Sequence, residues 1–211
     1  MQKSTNLETA LKPFLPEGSV DLVCEKLRAY PHHLVITPPR ATKLGDFKAD
    51  ARTGKMELTV NGNLNPFAFL VTLMHELAHL ITHIEHGWSV KPHGTEWKSA
   101  FKRTLGPFLR RDIFPDDLKV AIHQYLQNPG ATSCSDVTMA KALSRYDKKS
   151  HPDICLIDDL PVGARFIYGK QKLHFEKGTK IRTRIQCKAL TTGHAYLFHP
   201  LTKVMLVRAA P

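Results

Sequence analysis

Between Phe69 and Phe101 the chain reads FLVTLMHELAHLITHIEHGWSVKPHGTEWKSAF, and no other stretch limits the possible folds so tightly. Leu70, Leu73, Leu77, Leu80 and Ile84 recur at three- and four-residue steps, which predicts a long amphipathic helix with this stripe against a core. Asn65 is the expected N-cap, Pro66 falls in the first turn and Gly87 closes the helix. His75 and His79 are four residues apart, so both imidazoles leave one face about one turn apart and can share a small cation. Glu76, on a neighbouring flank, completes the HExxH spacing, in which the histidines bind zinc and the glutamate is general base toward a water.

A catalytic zinc takes a third protein ligand and keeps one position open. His83, Glu85, His86, His93 and Glu96 follow within reach. His83 continues the same helical face, but a straight helix cannot wrap successive turns around one tetrahedral ion, so a supporting or surface role is expected. The metzincin spacing fails, because Thr82 and Glu85 occupy its glycine and histidine positions. His86 lies at the helix end, and Glu96 fits a thermolysin-like arrangement with a glutamate on the next helix. His93 is the best placed. It precedes a second helix marked by Trp97, Phe101 and Leu105 and expected to stop at Gly106 and Pro107, and Gly94 is expected to give the backbone freedom to fold back over the first helix.

Around this segment the pattern is α+β. NLETALKPFL and SVDLVCEKLRAY read as helices, the second capped by Ser19. HLVIT, KLGDFKAD and KMELTVN read as three strands, with ARTGK as a hairpin turn. PDDLKVAIHQYL and SDVTMAKALSRYD are further helices. The character changes near residue 150, where the linker KKSHPDIC leads into short strands GARFIY, KLHFE, TKIRTRIQCKA, HAYLFH and KVMLVRA, with EKG and TTG as turns. The expected organisation is a mixed domain over 1–149 and a small all-β module over 150–211, with a tail core of Phe166, Leu173, Phe175, Ile185, Leu197 and Leu206. Cys24, Cys134, Cys155 and Cys187 show no CxxC pair, which argues against a disulfide framework or a thiolate zinc site. With no long apolar run, neither a signal peptide nor a membrane span is expected, and a cytoplasmic location is.

HELAH, followed fourteen residues later by the histidine of PHGTEWKSAF, resembles the SprT-like metallopeptidases, a family that includes bacterial SprT proteins and the eukaryotic DNA-protein crosslink protease Spartan. Their pattern is HExxH followed by GHGxEF or GHGxEW, and the likeness spans residues 1 to about 110. It implies a zincin-like domain with HExxH on a long helix beside a small three-stranded sheet. It also implies one zinc ion held by His75, His79 and His93, Glu76 as catalytic acid and base, and Glu96 and Trp97 as supporting residues. Pro92 stands where the family has its first glycine, which stiffens the approach of His93. Many members end in a four-cysteine zinc ribbon, whereas this tail holds only Cys155 and Cys187, as a metal-free replacement or a degenerated ribbon would.

Net charge is +11 and lies mostly in the tail, where residues 141–211 carry 14 Lys and Arg against 5 Asp and Glu. Such a segment attracts polyanions, of which nucleic acid is the commonest in the cytoplasm. Lys180, Arg182, Arg184, Gln186 and Lys188 alternate with Ile181, Thr183, Ile185 and Cys187, so one continuous strand would align the cations along a phosphate backbone, with Tyr168, Phe175, Tyr196 and Phe198 available for stacking on bases. The expected function is zinc-dependent hydrolysis of polypeptides laid along the sheet edge, with nucleic acid as partner of the tail. The rival expectation is a nucleic-acid-associated protein with a structural zinc and no proteolysis, in which a fourth ligand would normally close the site.

Overall fold

The computed structural model describes residues 7–40, 42–130, 136–148 and 152–207; Cys134 and part of the expected linker lie outside them. The chain divides into two compact units, Met1–Asp147 and Lys148–Pro211. The fold is α+β, with a three-stranded sheet among helices in the first unit and a six-stranded sheet in the second.

The first unit begins with α1 (Leu7–Leu11), a 3-10 turn and α2 (Val20–Arg28). Ser19 is the N-cap residue of α2, as expected, but its side chain makes no capping bond: its Oγ donates to the Pro16 carbonyl at 2.6 Å, closing the preceding turn instead. Strands β1 (His33–Thr37), β2 (Gly45–Ala49) and β3 (Met56–Asn61) form a sheet in the order β1-β3-β2. β3 is central, parallel to β1 and antiparallel to β2, with Gly45 opposite Val60 and Asp46 opposite Thr59. The β2–β3 hairpin turns where ARTGK places it, and the Asp50 carboxylate accepts from the Arg52 and Thr53 amides at 2.8 and 3.2 Å.

The long helix α3 runs from Pro66 to His86. Asn65 Oδ1 accepts from the Ala68 amide at 3.0 Å, while its Nδ2 donates to the Leu143 carbonyl at 3.0 Å and so ties this cap to α6 (Val137–Ser144). Leu70, Leu73, Leu77 and Leu80 are fully buried, but Ile84, the last member of the expected stripe, is 43% exposed because the helix outruns its cover there. Phe69, Val71, Met74 and Ala78 on other flanks are fully buried as well. The helix is covered by β2 and β3 and by α4 (Thr95–Leu109), so its polar face is enclosed instead of facing water. By length and composition α3 would also cross a membrane, yet 78% of its apolar window is buried within the protein, as befits a core helix.

Helix α4 corrects another expectation, since it passes through Gly106 and Pro107 and ends at Leu109. Proline removes only the bond to the carbonyl four residues back, and the burial of Leu105 and Phe108 holds the last turn in place. Helix α5 (Asp116–Gln127) follows, and α6 is capped by Asp136, which accepts from the Met139 amide at 2.9 Å.

The second unit is an antiparallel sheet of β4 (Ile154–Leu156), β5 (Arg165–Tyr168), β6 (Leu173–Ile181), β7 (Arg184–Ala189), β8 (Ala195–Phe198) and β9 (Lys203–Leu206), in the order β4-β9-β5-β6-β7-β8. The three-residue β4 falls in the segment expected to be linker, because so short a strand has no readable period. TKIRTRIQCKA is not one strand. It spans the end of β6, the hairpin turn and all of β7, with Ile181 opposite Arg184 and Arg182 in a left-handed conformation at φ 52°. EKG, expected as a turn, lies within β6 next to a bulge between Lys177 and Lys180.

The core of this unit comprises Ile157, Leu160, Phe166, Phe175, Ile185, Cys187, Ala189, Phe198 and Val204. Leu197 and Leu173 are not part of it, being 62% and 40% exposed: Leu197 neighbours the inward Phe198 on a strand of period two, and Leu173 stands at the strand end. Lys177, which is buried, donates its ammonium protons to the Asp158 carbonyl at 3.2 Å and to the Leu160 carbonyl, a buried cation satisfied by backbone.

Candidate metal centre

His75 and His79 project one turn apart from α3, and His93 reaches them from the loop before α4. Their Nε2 atoms converge: 3.3 Å between His75 and His79, 2.9 Å between His79 and His93, and 3.3 Å between His93 and His75. Trp97 lies under all three rings, with centroids 4.7, 5.2 and 4.6 Å from His75, His79 and His93. Phe101 stacks on the indole at 5.0 Å and meets the His75 ring edge-on at 5.7 Å, so the histidines rest on a fully buried aromatic floor.

The electrostatics suit a cation. Lone pairs on three nitrogens at these separations repel unless protons or a positive ion lie between them. Protons are disfavoured, since burial, followed by the neighbouring His79 and His93, lowers the His75 pKa to about 3. Burial and then His93 lower that of His79 to about 4, and burial lowers that of His93. Neutral imidazoles held this way are ready metal ligands, and this group can hold a metal ion. His75 Nδ1 is buried and has no hydrogen-bond partner.

His93 itself carries the unusual backbone, at φ 57°, whereas Gly94 lies at φ −72°. The expected freedom of Gly94 is thus not what the turn uses. Glycine is required there for space, because a Cβ would come within 2.8 Å of the Lys91 carbonyl oxygen. A non-glycine residue in the left-handed region costs free energy, and its occurrence at a converging histidine fits a conformation held by its surroundings.

The other histidines and acids fall elsewhere. His83 packs between Phe47 and Trp88, at centroid distances of 5.7 and 4.5 Å, and His86 is exposed beside Glu85. Glu85 accepts two 2.8 Å bonds from Arg103 on α4. Glu96 occupies the first turn of α4, outside the cluster, where a carboxylate favours the helix N-terminus.

Residues 63–113, which hold the three histidines, Glu76 and Trp97, match the model of the SprT-like family. That segment is SprT-like. No curated protein and no solved structure matches the chain.

Glu76, in the SprT-like segment, is buried, and Arg40, Lys43, Gly45 and Asp46, which act on it, lie outside that segment. Gly45 of β2 packs directly on the carboxylate: a Cβ there would lie 2.7 Å from Glu76 Oε1, 2.8 Å from its Cγ and 2.8 Å from Thr72 Cγ2. Burial, with Asp46 adding to it, raises the Glu76 pKa to about 8, and Arg40 and Lys43 pull the other way. Asp46 is paired with Lys43 at 2.6 Å and Lys48 at 3.7 Å. Arg40 is held by its Nε on Asn61 Oδ1 at 2.8 Å and leaves a buried Nη2 without a partner. Sequence reasoning missed Arg40, Gly45 and Asp46. Gly45 interrupts a β-rich run, which is a signal of close backbone approach; nothing local marks the other two.

Proposed function

We propose that this protein is a zinc-dependent metallopeptidase with a zincin-like catalytic domain, in which His75, His79 and His93 hold one zinc ion and Glu76 is the general acid and base. The observation that carries this reading is the triangle of Nε2 atoms, with edges of 3.3, 2.9 and 3.3 Å, beside a buried glutamate on the same helix. Ligands at 2.0–2.1 Å around a tetrahedral zinc stand about 3.3 Å apart, so two edges fit and the third is slightly shorter. Among the described residues the group holds three ligands and no fourth, which leaves the position a catalytic zinc keeps open and which disfavours a purely structural site.

A zinc ion held there would polarise a peptide carbonyl and make water a better nucleophile near neutral pH. The chain's own residues supply the rest. Glu76 takes a proton from the attacking water and returns it to the leaving amine. A carboxyl raised to about 8 by burial binds a proton readily, and a cation in the histidine triangle would lower it toward a working base. Gly45 lets the strand backbone sit against that carboxylate, and β2 is an edge of its sheet where a polypeptide can add as a strand. The net charge of +8 over residues 148–211, 12 Lys and Arg against 4 Asp and Glu, supports nucleic-acid-associated proteins as the substrate class.

The test pairs metal analysis of purified protein with cleavage of casein and of histones, with and without DNA. Glu76→Gln is expected to keep its zinc and lower cleavage about 100- to 10,000-fold, because the amide is isosteric but no base. Cleavage by the variant at the wild-type rate would remove Glu76 from the mechanism, and a wild type that holds zinc yet cleaves nothing would leave the structural-metal reading.

A further inference from the structure

The inward face of the second sheet carries Phe166, Phe175, Ile185 and Phe198 into the core, but at one end its side chains run out into solvent. Tyr168 and Leu173, paired across β5 and β6, and Tyr196 on β8 are 43%, 40% and 43% exposed. The rings stay ordered by packing on the core, Tyr168 on Phe198 at 5.2 Å and Tyr196 on Phe175 at 5.4 Å, both edge-on. Between them opens a concavity of about 610 Å³, lined also by Lys170 and Arg184. No carboxylate lines it, and neither cation takes part in a salt bridge among the described residues.

We infer that this groove is a binding site for single-stranded nucleic acid, with unpaired bases stacking on Tyr168 and Tyr196 and phosphates contacting Lys170 and Arg184. The proposal deepens the nucleic-acid association proposed above and rests on it. Three observations favour this occupant. Exposed rings with fixed orientation offer π-faces to any base, and a cleft of this size accommodates bases but not the width of a duplex. The unit carries 12 Lys and Arg against 4 Asp and Glu, so a polyanion is drawn to it while a cationic or neutral peptide is not. The row expected from sequence does not exist as a surface. The hairpin places Lys180 opposite Ile185 and Ile181 opposite Arg184, so Lys180 and Arg184 lie on different faces and Arg182 is at the turn. Of the four cations expected to bind, Arg184 alone lines the groove.

The experiment uses the full chain bearing Glu76→Gln, so that binding is read apart from cleavage, and follows the anisotropy of labelled oligothymidylate of about a dozen nucleotides, and of duplex of equal length, over a salt series. Single strands are expected to bind more tightly than duplex. Tyr168→Leu with Tyr196→Leu, which keeps apolar packing but removes the rings, should weaken single-strand binding at least tenfold with an unchanged melting temperature. Lys170→Glu with Arg184→Glu should weaken it and flatten the salt slope by about one to two, whereas Lys180→Glu with Lys188→Glu, outside the groove, should do less. Folded tyrosine variants with unchanged affinity, or a preference for duplex, would overturn the groove while leaving a phosphate-binding tail. Displacement of the oligonucleotide by an acidic peptide at equal charge would also overturn it, in favour of a protein ligand. Absence of binding to either form at low salt would remove the groove and the nucleic-acid reading together, without bearing on cleavage.

Discussion

The two units place their chemistry in opposite ways. In the first, His75 and Glu76 are buried on a helix enclosed by a sheet and by α4, and an aromatic floor holds the imidazoles in contact. In the second, the core is small and the chemically distinctive side chains, Tyr168, Tyr196, Arg184 and Lys170, lie at its exposed margin. Burial shifts pKa values and fixes geometry at a cost in stability, which suits proton transfer and metal binding. Exposure leaves cations hydrated and accessible, which suits contact with a charged polymer.

The largest expected effect breaks the buried site outright. Alanine at His75, His79 or His93 should lower zinc affinity at least a hundredfold, read by metal content after dialysis against a chelator, while His83→Ala and His86→Ala retain the metal. Retention in His93→Ala with loss in His86→Ala would place the third ligand at the helix end instead.

A smaller effect is expected at Gly45. Because its Cβ would overlap the Glu76 carboxylate, Gly45→Ala should displace the base and lower kcat about tenfold or more, with KM changed less and zinc content unchanged. An unaltered kcat would mean that β2 yields freely and does not position the glutamate.

The smallest effect concerns pH and the metal-free protein. Glu76, raised to about 8, keeps its proton in the fold where the unfolded chain has lost it, so its contribution to stability is full below about pH 4.5 and is lost as pH rises through about 8. His75 and His79, lowered to about 3 and 4, act in the reverse sense, and stability falls as pH drops from about 6.5 toward those values. Urea denaturation of chelated protein should therefore show Glu76→Gln flattening the alkaline decline and leaving the acid limb in place. An equal decline in both proteins would assign the alkaline loss to other groups.

Much of the first unit was legible in the sequence because its signals are local. The spacing of His75 and His79, the Asn65 cap and the Gly87 stop all lie within one helix, and the strands of the first sheet have clear composition and turns. The legibility failed where a rule competed with burial, as at Pro107, which a buried Phe108 carries through the helix, and at Ile84, where the pattern outlasts its cover. It failed again at Lys180 to Lys188, since alternation cannot distinguish one strand from two strands joined by a tight turn.

What the sequence by itself determined is the helix that carries His75, Glu76 and His79: periodicity, caps and the HExxH step are consequences of helical geometry, which needs no knowledge of distant residues. Tertiary structure alone decided the rest of each site. It brought Gly45 and Asp46 of β2 onto Glu76, set His93 in a left-handed turn over the aromatic floor, and gathered Tyr168, Tyr196 and Arg184 around one concavity. The physical reason is that strand pairing, sheet curvature and helix-on-sheet packing join residues far apart in the chain through shared burial, and no local period records which ones will meet.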